Sequence, residues 1–220
     1  TCAVTNDEMN IRLTARSSVI NSIATLSNLE DPTEQSLTGL IGALNSVTQT
    51  TDELSSESVT STLNTLQSVI NYVNSIGLSA SSASAMLDSV NAVSSVVSTS
   101  RSRSSSGSGG ASSAISRRLS EDEMTTSVEN IQSLLQQYSE YIGSTLLPGL
   151  DAVSSTQDTF QLSTQYLSGG VDVNSKLSVP LTAADTLTGS EVTTASSSVS
   201  LPSDSPSTAV SVISLSSSLY

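Results

Sequence analysis

Short apolar stripes at helical spacing, each restarted by its own capping signal, constrain this chain more than any other feature. Leu37, Leu40, Ile41, Leu44 and Val47 step by three, one, three and three, which places them on one face of a helix. Met9, Leu13, Ile20, Ile23 and Leu26 form a similar face over about 7 to 28. Val59, Leu63, Leu66, Ile70 and Val73 form a third, and Ala83, Met86, Leu87, Val90, Val93 and Val97 a fourth. No stripe holds register for four heptads, which counts against a long coiled coil. Narrow stripes backed by Ser, Thr and Asn predict an antiparallel bundle with short connections.

The restarts follow capping chemistry. "DPTEQ" predicts Asp31 as N-cap, Pro32 at the first helical position and Glu34 at the third. Ser55, with Leu54 and Val59 as a hydrophobic staple, predicts the third start, and Gly77 its end. Between Thr99 and Arg118 the periodicity gives way to "TSRSRSSSGSGGASSAISRR", a flexible linker by composition at about 99–118. Ser120 then opens a long fifth helix through Met124, Val128, Ile131, Leu135, Tyr138 and Ile142, which ends or kinks near Leu147, Pro148 and Gly149.

Ser120 carries two readings. "RRLS" (Arg117 to Ser120) is the pattern a basophilic kinase reads. Ser120 followed by Glu123 is also a capping box, and Leu119 with Met124 a staple. Two reciprocal devices at one position favour the helix start. The neighbouring "EDE" (Glu121, Asp122, Glu123) reads as acids that suit a helix N-terminus rather than as a cation site or an acid/base pair. The arginines before it read as charges that keep a Ser/Gly loop soluble, with a processing-protease site as the alternative.

After about Gln157 the period changes to two. Phe160, Leu162, Thr164 and Tyr166 alternate, Gly169-Gly170 predicts a turn, and Leu177, Val179 and Leu181 alternate around Pro180. Ser197 to Leu201, stopped by Pro202, and Ala209 to Leu215 complete four short strands with a one-sided stripe. The expected fold class is α+β. A helical bundle of about five helices over 1–155 precedes the start of a β-sandwich over 156–220, whose completion is expected from chain beyond Tyr220 or from another chain.

Composition narrows the chemistry. Ser and Thr make up about a third of the 220 residues, aromatics 3%, and Trp is absent, so the core has to be aliphatic. The net charge is −13, and four of the seven basic residues (Arg101, Arg103, Arg117, Arg118) fall in the linker, leaving Arg12, Arg16 and Lys176 elsewhere. Such a field repels nucleic acid and anionic lipid. No apolar run is long enough to span a membrane, and "TCAVTNDEMN" has no signal-peptide pattern. Without His, Ser/His/Asp and Cys/His nucleophile pairs and His-based zinc sites are excluded in this window, and the single Cys2 builds neither an internal disulfide nor a thiolate cage. "SGSGG" (Gly107 to Gly110) lacks the Lys of a phosphate loop, and no Asn-x-Ser/Thr sequon occurs. No catalytic, cofactor-binding or metal-ligating residue is assigned, no cofactor is expected, and the chain reads as a non-enzyme.

The Ser/Thr-rich amphipathic helices, the long helix ending near "LLPGLDAVSS", and the β segment with "VSLP" (Val199 to Pro202) and "AVSVISLSSSLY" resemble the region after the REJ module in polycystin-like proteins. That region is GAIN-like, a helical subdomain A followed by a β-sandwich subdomain B. The resemblance implies an extracellular module ahead of the membrane segments of a cell-surface, ciliary or flagellar protein. Its partners would be the rest of the parent chain, a polycystin channel or filament subunits. The family's His-Leu-Ser/Thr proteolysis motif has no counterpart here, so no cleavage residue is carried over. The competing expectation is a self-associating helical protein of a filament or mastigoneme-like flagellar appendage.

Overall fold

The computed structural model describes residues 5–29, 32–105, 119–167, 176–177, 197–198, 208–216 and 219. Among these, five helices precede the strands: α1 (Asn6–Leu29), α2 (Glu34–Thr48), α3 (Ser56–Ile76), α4 (Ala80–Ser105) and α5 (Glu121–Thr145), with a 3₁₀ turn at Thr51–Glu53. The strands are β1 (Val153–Thr156), β2 (Phe160–Leu167), β3 (Lys176–Leu177), β4 (Ser197–Ser198) and β5 (Thr208–Leu215). The fold class is α+β, with a helical N-terminal part. Packing divides the chain within α5, into a helical unit (Thr1–Leu134 with Ser218–Tyr220) and a sheet unit (Leu135–Ser217).

Every helix opens on a hydroxyl. Thr5, Thr33, Ser55, Ser79 and Ser120 each accept a bond from the backbone N–H three residues on, at 3.1 to 3.3 Å, which satisfies an amide the helix leaves unpaired. The N-cap of α2 is Thr33, not Asp31. Thr33 and Ser36 exchange reciprocal bonds, so Pro32 lies ahead of the cap rather than at the first helical position. Ser55 and Gly77 bound α3 as expected; Gly77 adopts φ +86°, a conformation open to Gly at little steric cost. The break after α5 is a turn in which Pro148 leads to Gly149 at φ +86°, closed by Leu150 N–H to the Leu147 carbonyl at 3.3 Å.

The linker expected from Thr99 does not begin there. α4 continues to Ser105, and Ser100 is buried. The remainder of that stretch, with Gly107 to Gly110, Arg117 and Arg118, lies outside the described residues, as do Cys2, Gly169-Gly170, Val179 to Leu181 and Val199 to Pro202.

In the helical unit α1 lies closest to α3, and α2 to α4. Arg12 and Arg16 bond to Glu53, Ser17 to Ser55 and Ser58, and Asn21 to Glu57 and Ser61, so the partners advance with α1, and α1 and α3 run in the same direction. Small hydroxyl side chains at this contact let the two backbones approach. The core is aliphatic, with Ile20, Ile41, Leu44, Leu63, Leu66, Ile70, Met86 and Ile131 among its fully buried side chains. Leu26 was expected on the inner face of α1 and is 47% exposed instead. It sits about 120° around the helix from Ile20, while the inner face continues through Ile23.

A Ser/Thr-rich helix can line a core only if its hydroxyls are satisfied. Thr48, Thr65, Ser89 and Ser94 each donate to the carbonyl four residues back, at 2.7 to 3.0 Å. The hydroxyl thereby stays out of the contact between helices. Thr62 Oγ1 is the exception among the described residues, buried with no partner.

In the sheet unit β1, β2 and β5 form an antiparallel sheet with β2 in the middle, and β3 pairs antiparallel with β4. The expected β2 and β5 are present; β1 is an addition, since "VSST" has a single apolar residue and no alternation to announce it. The one-sided stripe expected of β2 also fails. Gln161 and Ser163 are buried along with Phe160, Leu162 and Thr164, so the strand is covered on both faces there. Directly opposed hydroxyls serve the polar positions: Ser154 with Ser163 at 2.8 Å and Thr164 with Ser211 at 2.9 Å. The C-terminal end of α5 packs on the Thr164 and Ala209 side of this sheet, where Gly143 leaves room for the backbone to approach.

Candidate functional site

Among the described residues, polar side chains bond across elements along the seam between α1, the 3₁₀ turn and α3. Arg16 is placed there by the helical repeat, one turn before Ile20 on the inner face of α1. Its Nη2 and Nε donate to Glu53 Oε2 at 2.6 and 3.2 Å, and its Nη1 donates to the Val47 carbonyl near the end of α2. Arg12 Nη1 donates to Glu53 Oε1 at 3.2 Å. One carboxylate therefore gathers two guanidiniums. The hydrogen bonds from Arg16, then that from Arg12 and the two guanidinium charges, hold the Glu53 carboxyl below the usual glutamate range against the opposing effect of burial.

From the next residue of α1, three hydroxyls form a triangle: Ser17 to Ser55 at 2.9 Å, Ser17 to Ser58 at 2.7 Å and Ser55 to Ser58 at 3.0 Å. Beyond it Asn21 donates to Glu57 at 2.9 Å and accepts from Ser61 at 2.8 Å. Chemically the seam holds positions rather than activating a nucleophile. Its guanidiniums are engaged by a carboxylate and a carbonyl, its serines bond to each other, and no base completes a proton relay in the triangle. Beside it lies a shallow groove of about 340 Å³, lined by Arg12, Ala15, Arg16, Val19, Val47 and Glu53. Ile11 at 68% exposed, Val19 and Leu26 continue an apolar stripe along the outer side of α1.

Ser120 sits in the capping box expected for it. Its N–H and Oγ donate to Glu123 Oε2 at 2.7 and 2.8 Å, and Glu123 N–H returns to Ser120 Oγ at 3.3 Å. These bonds lower the Glu123 carboxyl, with a further one from the Ser56 hydroxyl. Glu121 and Asp122 occupy the same first turn and are exposed. Leu119 and Met124, expected as a staple pair, are each buried. Among the described residues no group of three His, Cys, Asp or Glu is arranged to hold a metal ion, and no helix is long and apolar enough to cross a membrane. The Arg16 and Glu53 clamp escaped the sequence reading, although an arginine in phase with Ile20 and Ile23 was its signal.

No family model, no curated protein and no solved structure matches the chain.

Proposed function

We propose that the chain is a non-enzymatic structural and interaction module of an extracellular, polycystin-like surface protein, of the kind that stands on a cilium or flagellum ahead of the membrane. The observation that carries the reading is the order of parts. A helical unit stitched by a polar seam is followed by an antiparallel sheet with β5 alongside β2, the order the family resemblance implies. Helices held by capped ends, locally satisfied hydroxyls and a two-arginine clamp suit a spacer that keeps its shape while partners bind elsewhere. On this reading its partners are proteins, namely the rest of the parent chain and a polycystin channel or filament subunits.

The test is immunolabelling of intact, unpermeabilised cells with an antibody raised against the helical unit. Surface labelling, concentrated on cilia or flagella, is expected. Signal that appears only after permeabilisation would overturn the extracellular assignment.

A second reading, a self-associating filament protein, is favoured by the apolar outer stripe of α1, where Ile11, Val19 and Leu26 are exposed. Sedimentation over a wide concentration range separates the two. A monomer throughout supports the module, and open-ended growth supports the filament.

A further inference from the structure

The outer side of α1 carries a second ordered line of side chains. At 3.6 residues per turn, Ile11, Ala15, Val19, Ser22 and Leu26 fall within an arc of about 80° and run about 22 Å along the helix. All five are exposed. Large and small side chains alternate along the line. The notch at Ser22 makes no polar demand on a neighbour, because its hydroxyl donates to the Ser18 carbonyl of its own helix at 2.8 Å.

Such a line is complementary to itself when two copies run antiparallel. With Leu26 of one copy opposite Ala15 of the other, Val19 falls opposite Ser22, and a two-fold axis repeats both contacts. Each large side chain then meets a notch. The same register brings Arg12 level with the last turn of the other copy's α1. Arg12 is about half exposed and among the described residues makes one hydrogen bond, from Nη1 to Glu53, so its other guanidinium N–H groups are left for an acceptor outside the chain. The facing end supplies acceptors. The last turn of α1 contains no basic residue, its carbonyls carry the negative end of the helix dipole, and the sequence continues with Glu30 and Asp31. A parallel pair in register would instead set large against large and Arg12 against Arg12.

We propose that α1 pairs with α1 of a second copy, antiparallel about a two-fold axis, with Leu26 seated at Ala15, Val19 at Ser22 and Arg12 at the C-terminal end of the opposite helix. The contact closes on itself, so association stops at two. A contact about 22 Å long on one helix is at the small end of specific interfaces, so the pair is weak and exchanges freely. This pairing rests on the α1 surface alone and holds wherever the protein resides.

The experiment is sedimentation equilibrium of the full chain from micromolar to millimolar concentration, beside Val19→Glu, Ser22→Leu and Arg12→Gln. A monomer–dimer equilibrium is expected. Val19→Glu brings like charges together near the axis and should weaken the pair by about tenfold, with the melting temperature of the dilute monomer unchanged. Ser22→Leu adds apolar surface but fills the notch, so it should also weaken the pair, by about fivefold. Arg12→Gln should weaken it by about threefold. Orientation is read by disulfide trapping in a Cys2→Ser background. Ala15→Cys mixed with Leu26→Cys should cross-link, whereas Ala15→Cys alone should not, since the two copies of residue 15 lie about 16 Å apart along the pair. A monomer up to millimolar concentration overturns the proposal, as does tighter association of Ser22→Leu, which would make the face adhesive without register. Cross-linking of Ala15→Cys to itself overturns it in favour of a parallel pair, and growth beyond two copies in favour of the filament.

Discussion

Glu53, on the turn before α3, takes two of its hydrogen bonds from Arg16 on α1 through a single oxygen, and Arg12 holds the other oxygen. Because Arg16 also caps the Val47 carbonyl, this pair joins α1, the end of α2 and the entry to α3. Arg16→Ala should cost about 1 to 3 kcal/mol, above the value of an exposed pair, because it leaves a part-buried carboxylate with one weaker partner.

The same pair sets a pH dependence. The folded Glu53 carboxyl lies below its usual value, so its contribution is complete above the unfolded value, about 4.3, and is lost as pH falls through the lower, folded value. Urea melts of the parent chain and Glu53→Gln should therefore differ at pH 7 and converge as the medium is acidified below pH 4. A gap that stays constant down to pH 2 would refute the assignment.

Thr62 offers a gain. Its buried hydroxyl lacks a partner, and Val has nearly the same shape without the desolvated oxygen. Thr62→Val should raise stability by about 1 kcal/mol, seen as a higher melting temperature, whereas Thr62→Ser should lower it by opening a methyl-sized gap.

Gly143 tests the packing of α5 on the sheet. A Cβ there would lie 2.7 Å from the Ala209 Cβ, and both atoms belong to regular structure that yields little. Gly143→Ala should destabilise by about 1 to 2 kcal/mol, overpacking outweighing the better helix propensity of Ala. Adding Ala209→Gly should recover most of the loss, and a double-mutant cycle of thermal melts measures that coupling.

At Ser120 the structure fixes an order among substitutions. The hydroxyl accepts from Glu123 N–H and donates to its carboxylate. Thr keeps both bonds, Asp keeps the first but sets a second negative charge against Glu123, and Ala keeps neither. Denaturant melts should rank Ser above or level with Thr, then Asp, then Ala, with Ala lower by about 1 kcal/mol. An Asp variant more stable than Ser would contradict the reciprocal box.

How much of this was legible follows from the range of each cause. Caps and apolar stripes act within a few residues, so Ser55, Gly77, Ser120 with Glu123, and the faces of α2 to α5 could be read from spacing alone. The cap of α2 was misplaced by two positions because Asp31-Pro32 and Thr33-Ser36 are competing local signals, and the bonds choose between them. β1 was invisible, since its four residues are recruited by the edge of β2 rather than by their own pattern. The end of α4 was misread because residues 100–105 carry no apolar period to announce a helix, and the bond from Arg101 to the Leu219 carbonyl lies beyond the reach of any window. Of the seam, the serines at the start of α3 were legible as a cap, but their meeting with Ser17 depends on α1 and α3 running side by side.

Serines and threonines that donate back along their own helix leave their neighbours nothing to match. Thr65, Ser89 and Ser94 touch the core as if they were slightly bulky alanines. Rotational and axial alignment between helices therefore depends on a few detents, chiefly Ser17, Asn21, Arg16 and the bond from Ser82 to Thr38. Exchanges between Ser, Thr and Ala elsewhere on these surfaces should be absorbed with little strain, whereas loss of a detent should leave secondary structure intact and let one helix slip in phase against the next.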